Sequence, residues 1–155
     1  MALYGENYTL AHVDVPASNI SVKDAKGKIR VLHDKYTFVA DVIAINTEIY
    51  MGKIPKGAKI YDVLVWCGDL GTTGLLHVGW GAGADAVEAA DADGFFASLD
   101  VKAAARLGVA MSITAKLAGQ FKEFSEEVDL IVKLAEAADS ADTEVLEVVV
   151  LYTLD

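Results

Sequence analysis

The sequence predicts a mainly β protein: an antiparallel β-sandwich, jelly-roll-like, with an extended N-terminal arm over residues 1–26, the sandwich domain over residues 27–155, and one short helix. Three observations predict it. Apolar residues alternate with period two in three separate segments, Tyr36–Ile45, Val128–Leu134 and Leu146–Leu154, and a helix does not hold such residues on one face. Seven to nine short apolar runs are divided by turn signals, which is the spacing of a sandwich. Hydrophobic residues make up 54% of the 155, enough to fill one core and leave apolar surface for a partner.

In chain order, residues 1–26 hold Tyr4, Tyr8, Leu10, Val13 and Val15, then Pro16 and a polar run that interrupts any element. Two readings stand: a first strand on the chain's own sheet, or an arm lying on a neighbouring subunit. Lys28–His33 alternates and reads as a strand, with Asp34-Lys35 as its turn. Tyr36–Ile45 reads as the next strand, and Asn46-Thr47 as a turn. Glu48–Ile54 is a short strand with Gly52 as a bulge.

The clearest stretch is Ile54–Trp80. Pro55-Lys56-Gly57 makes a tight turn, because proline presets φ and glycine accepts positive φ. Lys59–Cys67 is a strand apolar on both faces, hence central or covered on both sides. The alternation puts Ile60, Asp62, Leu64 and Trp66 on one face, and Tyr61, Val63, Val65 and Cys67 on the other. A glycine-bracketed loop, Gly68–Gly74, leads to the strand Leu75–Trp80. Trp66 and Trp80 are read as core or interface anchors, with core favoured.

Gly81–Gly94 is an acidic, alanine-rich connector, either a surface loop or a short helix over Asp85–Ala90. Phe95-Phe96 re-enters the core. Leu99–Leu107 has helical propensity, with Asp100 as cap and Gly108 as stop. Val109–Leu117 alternates weakly, as a strand would. The last third reads as two antiparallel strands, each with one buried face: Val128, Leu130, Val132 and Leu134, then Leu146, Val148, Val150, Tyr152 and Leu154.

Composition excludes more than it identifies. A net charge of −10 repels phosphate backbones and anionic lipid, so neither nucleic acid nor membrane is expected as a partner. No segment approaches an apolar span of membrane length, and the opening MALYGENYTLAHVDV lacks a signal sequence's basic and apolar regions, so synthesis in the cytoplasm is expected. Cys67 is the only cysteine, which excludes an intrachain disulfide and a thiolate cluster.

No motif specifies a reaction, and neither a catalytic residue, a metal nor a cofactor is expected. His12, His33 and His77 fall in three elements without metal-ligand spacing. No serine sits in a nucleophile elbow. A Cys67–His77 dyad would need aligned neighbouring strands and an electropositive setting, and the residues around Cys67 are apolar. Gly79–Asp85 has the glycines of a phosphate cradle but lacks its lysine and hydroxyl, and acidic residues follow. Asp85, Glu88, Asp91 and Asp93 offer oxygen ligands for calcium, but Phe95, Phe96 and Ala97 do not continue the ligand pattern, so a solvated acidic loop is favoured.

Ile54–Trp80 also carries a resemblance. Its order is IPKGAKI, an apolar strand, DLGTTG, and a strand ending LHVGW, followed by GADAVEAADADGFF. With the opening MALYGENY and the closing VVLYTLD, it resembles small virion structural proteins of tailed bacteriophages. The resemblance implies a non-enzymatic assembly protein, with decoration or cement of the capsid exterior favoured over a tail, connector or fibre-base part. It implies the major capsid protein and further copies of itself as partners, a trimer being favoured, and a place on the capsid surface of the virion. Pattern alone nominates Tyr4, Tyr8, Leu10, Val13 and Val15 as the partner contacts. A small-molecule-binding β-sandwich remains the non-viral alternative, with a polar pocket expected near His77 and Gly81–Gly94.

Overall fold

Alternating burial marks the long strands at the centre of the computed structural model, which describes residues 27–40, 42–102, 109–111 and 118–154. The elements are β1 (Ile29–Thr37), β2 (Glu48–Ile54), β3 (Lys59–Cys67), β4 (Leu75–Trp80), β5 (Asp91–Asp100), β6 (Val109–Ala110), β7 (Val128–Glu136) and β8 (Val145–Thr153). They form two four-stranded antiparallel sheets, in the orders β1-β8-β3-β6 and β2-β7-β4-β5. First pairs with last, second with seventh, third with sixth and fourth with fifth. A ribbon of antiparallel pairs rolled into two layers gives this order, which is that of a jelly roll.

The core lies between the layers. The first sheet contributes Ile60, Val63, Val65, Cys67, Leu146, Val148 and Val150. The second contributes Met51, Leu76, Val78, Trp80, Phe96, Leu130, Val132 and Leu134. The predicted inward sets of the last two long strands are therefore core, although Tyr152 and Leu154 are only half-buried at its margin. The turn after β2 forms as expected: the Ala58 N–H donates to the Pro55 carbonyl at 3.1 Å, and Gly57 sits at φ +81. Gly52 marks the expected bulge, where the β2–β7 register slips between Tyr50 and Lys53.

Several expectations are corrected. β1 runs unbroken from Ile29 to Thr37, so Asp34-Lys35 is not a turn. Those residues stay in the ladder because Val148 and Glu147 of β8 lie opposite them. β1 ends at Thr37, and among the described residues from Phe38 to Ile45 no strand follows. Phe38 turns into the core while Val39 and Val42 point to solvent, so the alternation there reports no buried sheet face. The turn at Asn46-Thr47 does form, with Asn46 at φ 67.

β5 begins at Asp91, inside the stretch read as connector. Its acidic start hides a strand because these residues are only half-buried along an outer strand of the sheet. Residues Asp85–Ala90 form turns, with Ala86 at φ 55, not a helix. The start of the expected helix, Leu99 and Asp100, belongs to β5, and residues 103–108 lie outside the described ones. Only Val109–Ala110 of the expected strand Val109–Leu117 is described as strand, and residues 112–117 lie outside.

The larger correction is in pairing. β7 and β8, read as an antiparallel pair, belong to different sheets, and so do β3 and β4, for which no pairing was expected. Each pair faces across the core instead of lying side by side. Two strands with one apolar face each bury those faces equally well either way, and alternation alone does not choose.

Candidate interaction surface

The outer face of the β1-β8-β3-β6 sheet carries an apolar patch, where an antiparallel sheet commonly meets water with polar side chains. A bulge between Ile60 and Asp62 shifts the alternation of β3. Ile60, Val63, Val65 and Cys67 therefore point inward together, and Asp62, Leu64 and Trp66 are left half-exposed. Trp66 is thus not a core residue. It stands opposite Glu147 of β8, and Leu64 stands opposite Val149. On the other side of β8, His33 of β1 opposes Val149, and Val31 opposes Leu151.

Val31, His33, Trp66, Glu147 and Val149 line a shallow cavity of about 410 Å³. The His33 Nε2 lies 3.3 Å from Glu147 Oε2, so the single polar pair of this lining is satisfied locally. Val31 is 59% exposed and Ile29, two residues along, is 67% exposed. The lining offers flat apolar area and one hydrogen-bonded His–Glu pair, which suit contact with a protein surface.

Trp80 shows the contrast. It is 4% exposed, and its indole N–H donates to the Ala89 carbonyl at 3.0 Å. Phe124 meets it edge-on at 5.2 Å and Phe95 at 5.1 Å. Gly94 lies so close over the ring that an added Cβ would overlap it. Lys122 Nζ sits 5.3 Å from the ring centroid and 2.8 Å from Glu88 Oε2.

Glu88 and Glu126 fasten the connector between β4 and β5. The Glu126 carboxylate accepts the N–H groups of Glu88 at 2.6 Å and Asp85 at 2.9 Å. The Glu88 carboxylate accepts from Lys122, from the Ser125 N–H and from the Ser125 hydroxyl. The Lys122 hydrogen bond, then the Ser125 N–H, hold Glu88 down at about 2, well below the ordinary carboxylate value. The backbone N–H of Glu88 is the largest influence lowering Glu126.

A second cavity, about 330 Å³, lies beside this connector between Lys53, Lys56, Asp85, Glu126, Glu127 and Asp129. Lys53 bridges Glu127 at 3.0 Å and Asp129 at 3.4 Å, which raises its pKa. Its lining does not include His77, whose Nδ1 accepts the Ser98 N–H at 3.1 Å.

Cys67 is buried in the first sheet and His77 is on the second, so the structure does not bring them together as neighbouring strands. Of the acidic candidates, Asp91 and Asp93 are on β5 and Glu88 is turned to Lys122. Among the described residues no group of three His, Cys, Asp or Glu is placed to hold a metal ion. Tyr4, Tyr8, Leu10, Val13 and Val15 lie outside the described residues, as does His12. Sequence reasoning missed the patch around Trp66. The signal was present in the two apolar faces of Lys59–Cys67, but the bulge that sorts them was not.

No protein-family profile matches the sequence, and no curated protein matches it. Solved structures do. A chain in the capsid of Ralstonia phage GP4 aligns over 96% of both chains with a TM-score of 0.66 and 20% identity. The two share a fold. A chain in the capsid asymmetric unit of cyanophage Pam1 aligns over 83% of this chain and 86% of that one, with a TM-score of 0.64 and 18% identity. A chain in the capsid of Helicobacter pylori bacteriophage KHP30 aligns more loosely, at a TM-score of 0.49 and 14% identity.

Proposed function

We propose that this chain is a non-enzymatic structural protein of a bacteriophage virion, and within the virion a decoration or cement protein on the capsid exterior. The observation that carries the reading is the fold shared end to end with a chain of the Ralstonia phage GP4 capsid. The apolar patch around Trp66 and the charge of −10 support it: one face suits contact, and the remaining surface resists unspecific association.

In this reading the major capsid protein and further copies of the chain are the partners, with a trimer as the unit that bridges neighbouring capsid subunits. The mechanism is burial of surface. A standard interface buries about 1,600 Å² in total. Repetition over a lattice turns modest contacts into lasting attachment, because each further contact is made at high effective concentration. Residues 1–26, with Tyr4, Tyr8, Leu10, Val13 and Val15, are proposed as additional contacts. The test is to add the purified protein to heads that lack it. Saturable binding with raised resistance to heat is expected, and no affinity for heads overturns the proposal.

A further inference from the structure

We infer that β1 is a two-fold docking edge, on which a second copy of this chain adds its own β1 antiparallel to the first. The inference does not depend on the place of the protein in a virion. Among the described residues β1 is an outer strand of its sheet, and nothing in them pairs with its free edge. It is nine residues long and keeps one unbroken register with β8, from Ile29 opposite Thr153 to Thr37 opposite Val145. The β2–β7 and β4–β5 ladders that contain the outer strands of the other sheet are interrupted by register shifts, and β6 has two residues. Proteins usually blunt an outer strand with bulges, proline, brevity or charged side chains; β1 carries the charges of Arg30, Asp34 and Lys35, which restrict the registers it accepts, but is otherwise an open template for pairing. β1 has no proline and no bulge.

The residues of β1 select a partner and a register. An antiparallel two-fold contact repeats every pairing twice. Outward-pointing amides alternate along a strand, so only registers that pair odd with odd and even with even positions let the two free edges bond. Those registers also keep the two outer sheet faces on one side. With Leu32 opposite the partner's Leu32, Arg30 meets the partner's Asp34, and the reciprocal pair forms at the same time. Val31 then meets the partner's His33. Centring on His33 instead sets Leu32 against the partner's Asp34. Centring on Val31 shortens the paired strand to Ile29–His33 and sets Arg30 against the partner's Leu32. The register centred on Leu32 is therefore the one that matches charge within the strand. Arg30 is exposed and Asp34 half-buried, so both are near the surface that the contact would cover. The apolar patch, with Ile29 and Val31, would become continuous across the two copies.

The measurement is the mass of the full chain by sedimentation, with charge-reversed variants. An even-numbered assembly is expected: a dimer, or a hexamer where a trimer also forms. Arg30→Asp and Asp34→Arg should each weaken the two-fold contact by about tenfold or more, since each places two like-charged pairs in register. The double exchange of Arg30→Asp with Asp34→Arg should restore it, with circular dichroism unchanged throughout. A monomer or an isolated trimer for the natural chain overturns the inference. So does an even assembly that neither reversal weakens, or one that the double exchange fails to restore.

Discussion

Glu126 Oε1 accepts the backbone N–H of Glu88 at 2.6 Å, while the Glu88 side chain reaches back to the Ser125 N–H at 2.8 Å. Each glutamate thus satisfies backbone donors beside the other. The pair ties the connector after β4 to the segment before β7, beside the Trp80 cluster. Glu126→Ala leaves the N–H groups of Asp85 and Glu88 without their acceptor. We expect a melting temperature several degrees lower, read by calorimetry, and faster hydrogen exchange confined to residues 81–90.

The same pair sets a response to acid. Glu88 is held at about 2 against an ordinary 4.5, chiefly by Lys122, and Glu126 is also lowered, chiefly by the Glu88 N–H. Asp139 is lowered by the Thr72 hydroxyl and N–H. A depressed carboxylate stabilises the fold above its unfolded pKa, and that contribution is lost as pH falls through the folded value. Stability should therefore hold near neutrality and fall from about pH 4.5 towards pH 2. Glu88→Gln should melt earlier at pH 7 and show a shallower decline in that window. Equal slopes for both proteins would count against the assignment.

The two tryptophans should separate fold from contact. Trp80→Ala empties the centre of an aromatic cluster and should cost about 3–5 kcal/mol in a urea titration. Trp66 lies on the outer face, and Trp66→Ala should cost less than about 1 kcal/mol while weakening attachment to heads. Tryptophan fluorescence adds a check, since Trp66 should be the one reached by an aqueous quencher.

Gly94 is needed for the ring above it. A Cβ there overlaps Trp80 Cζ3 and Cη2, so Gly94→Ala must displace the indole or bend β5. A loss of about 1–3 kcal/mol is expected, with a shift in Trp80 emission. In a Gly94→Ala, Trp80→Phe double variant, the smaller ring should recover part of that loss.

The sequence was most legible where turn chemistry and alternation agree. Pro55-Lys56-Gly57 and the strands Glu48–Ile54, Lys59–Cys67 and Leu75–Trp80 were placed at their observed bounds. The inward set of Val128–Leu134 was also correct. Which sheet each strand joins was not legible, because alternation describes a face and not a neighbour. The bulge at Ile60–Asp62 was hidden too, since Tyr61 carries no glycine-like mark of irregular backbone. That one slip moved Trp66 from the expected core to the surface patch. β5 was obscured by Asp91 and Asp93, which read as loop residues until an outer-strand position explains them.

The central proposal is a place on the exterior of a phage head. The most direct measurement is labelling of the protein in intact particles, with antibody or gold directed to the Trp66 face and to the opposite sheet, together with its copy number per particle. Labels distributed over the whole head surface, in proportion to the capsid lattice, are the predicted result. Labels confined to the tail or to a single vertex, or a protein absent from purified particles, would contradict it.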